Sequence, residues 1–306
     1  MAAQAASGGG AQAATQLGDL PEECLAQAIA LTSPRDACRI AAVSPAFRAA
    51  ADSDHVWRAF LPREAPPVVL LQPAKTKKEA YLGLCDAGSA VTVGDDGGCR
   101  MWLDKASGAR CYALSARRLS LPWDDGEFCW KFTPHPRSRF GEVAELVDCT
   151  CLDIYGTLPS SSLTPATTYA AYFVYGAAAA AEGGAGGHRG LSYPDQETAV
   201  SVGGRVVDSH DVCLLPPDAA EARRFRGGGA GGVAGGEERR RRPRRREDGW
   251  WEMEMGRLVI SADAGEAEEQ EVTASFEVLG WHPKRGLLVE GIEFRPVVVA
   301  HSSSTT

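Results

Sequence analysis

Met101-Trp102-Leu103-Asp104-Lys105-Ala106-Ser107-Gly108-Ala109-Arg110-Cys111-Tyr112-Ala113-Leu114 marks the point where the chain changes from helical to extended patterning. Two runs rich in aromatic and aliphatic residues flank Ala106-Ser107-Gly108, which predicts a β-hairpin closed by a short turn. Downstream, Glu142–Leu146, Cys151–Gly156, Thr168–Tyr175, Trp250–Met255, Val272–Leu279 and Gly286–Arg295 are further short strand candidates, separated by turn signals. No helical period lies between them, so an all-β sandwich is expected. Two low-complexity insertions, near 176–190 and 223–246, are expected to be disordered loops. Gly227, Gly229 and Gly232 satisfy G-x-G-x-x-G only formally, with neither a strand before nor a helix after them.

Upstream the punctuation is that of helices. Leu20-Pro21-Glu22-Glu23 reads as a helix start with Asp19 as N-cap, and Leu25 and Ile29 share one face. Ser33-Pro34-Arg35-Asp36 and Ser44-Pro45 open two more helices, and a fourth carries Val56, Trp57, Phe60 and Leu61. Four short helices over 17–62 make a small core, so a remaining apolar face is expected to dock on a partner. Residues 1–16 are Ala, Gln and Gly and are expected to be disordered. Residues 63–99 read as a linker holding a short helix over 76–85 and one possible strand at Ala90–Val93, and 297–306 as a tail. The fold class is therefore α+β multidomain: a small all-α module followed by a β-sandwich over 100–296.

Composition narrows the function. The 306 residues carry a net charge of −8, which argues against general nucleic-acid binding. No apolar run is long enough for a membrane helix, and Met1 to Ala14 lacks the features of a secretory signal. The sequence contains no Asn, so it has no N-glycosylation acceptor. Nine cysteines without C-x-x-C spacing suggest reduced thiols, no metal site, and a cytoplasmic or nuclear location. Nothing calls for a cofactor. The arginines at 239–242 and 244–246 read either as a nuclear-import or polyanion-binding patch or as a solvated loop.

Leu119-Ser120-Leu121-Pro122-Trp123-Asp124-Asp125-Gly126-Glu127-Phe128-Cys129-Trp130 is the candidate ligand stretch. An indole face can pack on the C–H face of a sugar, while carboxylates accept hydrogen bonds from its hydroxyls. The alternative places both Trp in the core, on either side of an acidic turn. A glycosidase using Asp124, Asp125 or Glu127 with Glu277 would need carboxylates about 5 to 9 Å apart, whereas these acids sit in an unremarkable turn.

Leu20-Pro21-Glu22, Ser33–Cys38, Val43-Ser44, Phe47-Arg48 and Asp54–Trp57 resemble a plant F-box. The resemblance implies docking on the Skp-family adaptor of a cullin–RING ubiquitin ligase through Leu20, Pro21, Leu25, Ile29 and Val43. Met101–Asp104, Leu114–Arg117, Ser138–Phe140, Glu142–Leu146, Leu152–Gly156, Tyr169–Tyr172, Asp248–Trp250 and Gly291–Pro296 resemble the phloem protein 2 family, which includes Nictaba-type lectins. That likeness implies a jelly-roll-like lectin sandwich binding N-acetylglucosamine oligomers or glycoproteins through Trp123, Trp130 and two carboxylates. Glu277 matches one carboxylate. The other falls on Gln270, or on Glu271 if one residue is deleted, and the second alignment turns Val272, Ala274 and Phe276 inward. Together the resemblances imply a non-catalytic substrate-recognition subunit of a Skp–cullin–F-box ubiquitin ligase. The alternative is an F-box protein whose sandwich binds proteins without sugar.

Overall fold

A computed structural model of the chain describes residues 20–62, 76–122, 129–178, 187–192, 195–215, 241–261, 269–278, 280 and 282–297. The chain divides into a helical unit, residues 1–82 with Lys105–Gly108, and a β unit, residues 83–104 and 109–306.

The helical unit follows its capping signals. α1 (Glu22–Ala30) starts after Pro21, with two acids in its first turn. α2 (Pro34–Ile40) and α3 (Pro45–Asp52) each have Pro at the first helical position. Ser33 and Ser44 cap them by accepting the backbone N–H groups of Asp36 and Phe47. α4 (Asp54–Phe60) carries Trp57, whose indole N–H donates to the Ala51 carbonyl at 2.8 Å. The helix expected in the linker is α5 (Lys77–Leu84), and its Tyr81 ring lies 5.2 Å from that of Trp57. Tyr81 is buried in the helical unit's core, so this part of the chain is more than a linker.

The β unit has thirteen strands among the described residues: β1 (Val91–Val93), β2 (Cys99–Leu103), β3 (Arg110–Ser115), β4 (Trp130–Pro134), β5 (Glu142–Leu146), β6 (Leu152–Pro159), β7 (Thr167–Ala177), β8 (Gln196–Val202), β9 (Arg205–Val212), β10 (Arg244–Arg245), β11 (Trp251–Ile260), β12 (Glu271–Val278) and β13 (Leu287–Pro296). The major sheet runs β1-β2-β3-β13-β7-β11-β10, with β5 also paired to β13 and β4 to β5. The minor sheet runs β6-β12-β8-β9. All pairings between these strands are antiparallel. The expected hairpin is β2–β3, with Leu103 opposite Arg110.

The sheets face each other through buried aromatic rings. Phe173 of β7 stacks on Phe276 of β12 at 5.3 Å between centroids. Val272, Ala274, Phe276 and Val278 alternate inward on β12, and Leu152, Ile154 and Leu158 on β6. Gly156 takes an inward position on β6 because a Cβ there would stand 2.7 Å from Leu119 Cδ2. Gly291 of β13 is tighter still, since a Cβ would lie 1.9 Å from the Leu114 carbonyl oxygen. Lys284 is fully buried, and its ammonium donates to the carbonyls of Thr150, Gly280 and His282.

Four expectations need correction. The sandwich begins before residue 100, because β1 and Cys99 already belong to the major sheet. β4, β8 and β9 were not foreseen as strands. The insertion expected over 176–190 is shorter, since Gly176 and Ala177 lie in β7 and Arg189 pairs with Arg285. The insertion expected over 223–246 also ends early. Arg241 ion-pairs with Glu254 at 2.7 Å, Arg244 with Glu252 at 2.6 Å, and Arg246 with Glu293 at 2.7 Å. These three arginines therefore belong to a structural edge strand and its flanks, and are not a solvated loop.

Candidate functional site

The helical unit presents an apolar groove of about 210 Å³, lined by Leu20, Cys24, Leu25, Ala28, Ile29 and Phe47 among others. The five residues expected on the adaptor face separate into two groups. Leu20 (40% exposed), Pro21 and Val43 (69% exposed) face outward. Leu25 and Ile29 are buried; they form the groove's floor and the unit's own core.

In the β unit, Trp123 with Asp124, Asp125 and Glu127 lies outside the described residues. Trp130 opens β4 opposite Leu146 and is only 4% exposed. Its indole N–H donates to the Pro122 carbonyl at 3.0 Å. As placed, its ring faces protein. This is the arrangement of the core alternative for Trp130.

The outward face of the minor sheet is largely polar and ordered by register. Asp153, Glu277, Glu197 and Asp211 stand directly opposite one another across β6, β12, β8 and β9. The next row holds Tyr155, Ser275, Ala199 and Ser209. The row after it runs Thr157, Thr273, Ser201 and Val206; the two threonine hydroxyls are 3.1 Å apart, and Val206 is an exposed aliphatic at the β9 edge. Ser120 extends the Tyr155 row through paired backbone hydrogen bonds with Tyr155 on the outer side of β6.

Glu277 sits in the row of acids. Burial raises its carboxyl above the ordinary value, and the charges of Asp153 and Glu197 raise it further. Burial likewise raises Asp153. Glu271 points to the same face as Glu277 but six residues away along β12, about 20 Å in an extended strand. Gln270 precedes the strand, is exposed, and its carbonyl accepts the Ser160 N–H. The carboxylate shared with this polar field is thus Glu277, while Gln270 and Glu271 stand at the far end. Sequence reasoning missed Tyr155, although the alternation of Leu152, Ile154 and Leu158 already turns it outward.

Among the described residues no group of His, Cys, Asp or Glu could hold a metal ion. No helix among them is long and apolar enough to cross a membrane. Burial pushes the Cys99 thiol up to about 11, so this cysteine stays protonated at neutral pH.

An F-box-like profile matches residues 17–63, and the phloem protein 2 profile matches residues 109–296. The chain belongs to the phloem protein 2 family. More particularly, it is similar to Arabidopsis thaliana proteins that combine the two segments. It is 34% identical to F-box protein PP2-B10, over 91% of this chain and 93% of that one. It is 33% identical to F-box protein PP2-B15, over 90% and 96%, and 31% identical to F-box protein PP2-B1, over 92% and 90%. Among solved structures, the Podospora anserina GH26-CBM35 β-(1,4)-mannanase overlaps 63% of this chain and 29% of its own, with a TM-score of 0.27 at 10% identity. That similarity is too low to bear on function.

Proposed function

We propose that this chain is a non-catalytic substrate-recognition subunit of a Skp–cullin–F-box ubiquitin ligase, with a β unit that captures N-acetylglucosamine-containing glycans or glycoproteins. The helical unit would hold the Skp-family adaptor and bring in the cullin–RING assembly. The supporting observation is the pairing of an F-box-like segment that exposes Leu20 and Val43 and carries an apolar groove with a phloem protein 2 domain whose minor sheet has an open, largely polar face. A few hydrogen bonds and stacking contacts on such a face support weak binding per site, of about micromolar affinity or less. Cytoplasm and nucleus are the compartments that suit this role.

Trp130 favours a second reading. Its burial and its occupied indole N–H support a sandwich that binds a protein target without sugar. A pull-down from plant cells, with and without competing chitin oligomers, tests both readings. Capture of the adaptor and of a target that the oligomers displace supports the glycan reading. Target capture indifferent to oligomers supports the protein-interaction reading. Combining Leu20→Ala with Pro21→Ala is expected to abolish adaptor co-purification, and unchanged co-purification would remove the F-box assignment.

A further inference from the structure

Tyr155 is the one Phe, Tyr or Trp side chain among the described residues that is exposed, at 40%. Its flanks explain this. In its cross-strand row it stands between Ser120 and Ser275, which are too small to cover a phenol ring. No ring contact or side-chain hydrogen bond to another described residue engages it. Asp153 and Thr157 lie two residues to either side on its own strand, and Glu277 is its diagonal neighbour on β12, within reach of a long side chain.

The chemistry of this face selects among occupants. At Tyr155 the β6 backbone is bonded to Ser120 on one side and paired with β12 on the other, so a peptide strand cannot add to the backbone at this residue. Immediately around Tyr155, Ser275, Ala199, Ser209, Thr157 and Thr273 offer no large aliphatic anchor of the kind that dominates protein interfaces, and the exposed Val206 of the Thr157 row stands three strands away on β9. What remains is one apolar ring face among hydroxyls and carboxylates. A pyranose ring matches it, with a C–H face to stack and a rim of hydroxyl donors.

We propose that Tyr155 is a sugar-stacking residue, with Glu277 and Asp153 accepting hydrogen bonds from the hydroxyls of the stacked ring. The proposal rests on the glycan-binding reading above and adds to it a contact residue in a described strand. The test is calorimetric titration of the full chain with N-acetylglucosamine dimer, trimer and tetramer. Tyr155→Ala is expected to weaken binding about three- to tenfold, the range for an aromatic stacking contact. Tyr155→Phe, which keeps the ring, is expected to bind within about twofold of wild type. Wild-type binding that Tyr155→Ala leaves unchanged would overturn the assignment while sparing the glycan reading. No binding of any oligomer by the wild-type chain would overturn both.

Discussion

Trp130 shows how far a single residue can be read from sequence. Its spacing from Trp123 invites a paired stacking site, but spacing cannot tell which way a ring faces. The structure turns the ring inward and occupies its N–H with the Pro122 carbonyl. Replacing it with Phe removes that hydrogen bond and part of the packed volume, so a loss of about 2 kcal/mol is expected in urea unfolding. An unchanged midpoint with lost glycan binding would restore Trp130 as a contact residue. Leu25 and Ile29 carry the same lesson. Their i, i+4 spacing places them on one face of α1 but does not separate groove floor from partner contact. Leu25→Ala is expected to unfold the helical unit more readily, by about 2 to 5 kcal/mol, whereas Leu20→Ala should lose adaptor and keep stability. Equal thermal midpoints for the two variants would contradict this division.

Among the elements, legibility followed clean periodicity. The capped helices, the β2–β3 hairpin and β12 could be read because their punctuation and alternation are regular. The β8–β9 hairpin could not, although Gly203 and Gly204, both at positive φ, form its two-residue turn. Its alternation is broken by Gln196, a buried polar side chain. That amide donates to the Leu191 carbonyl and accepts the Leu214 N–H. Because these strands were hidden, Glu197 and Asp211 had no place beside Glu277. β10 was masked by composition, since an arginine run looks solvated until its acidic partners are known. β13 offers an element-level test. With Leu114's carbonyl oxygen 1.9 Å from any Cβ at Gly291, Gly291→Ala must push β13 away from β3. A loss of about 3 kcal/mol is expected in chemical denaturation, and a neutral result would mean the two strands can separate freely.

At the scale of the whole molecule, one buried ionic network ties the major sheet to its flanking segments. Glu290, Glu293 and Glu252 are buried, and Arg139, Arg246, Arg295 and Arg244 converge on them from separate parts of the chain. Burial alone would raise the Glu293 carboxyl. Arg139, Arg295 and Arg246 outweigh it and hold the carboxyl below its ordinary value. A depressed folded value means this contribution is fully present above the unfolded carboxylate pKa of about 4.3 and is lost as pH falls through the folded value. Thermal midpoints should therefore drop below about pH 4. Glu293→Gln should flatten that drop while lowering the midpoint at neutral pH, and an unaltered acid profile would assign the lability elsewhere. None of these partners could be paired from sequence, because they meet only once β13, β11 and β10 are aligned.

The burial of Lys284 has one further consequence. A receptor held beside a ubiquitin-transferring enzyme offers that enzyme its own amines as well as its cargo's. The chain has six lysines, at positions 75, 77, 78, 105, 131 and 284. In the β unit there are only two, and the three carbonyls around Lys284 leave its nitrogen no route to an incoming thioester. Lys131, exposed on β4, is then the β unit's one available side-chain acceptor. Under the proposed role, self-modification of that unit is confined to one strand, and a glycoprotein on the open face of the minor sheet competes with a single lysine of the β unit for the transferred tag.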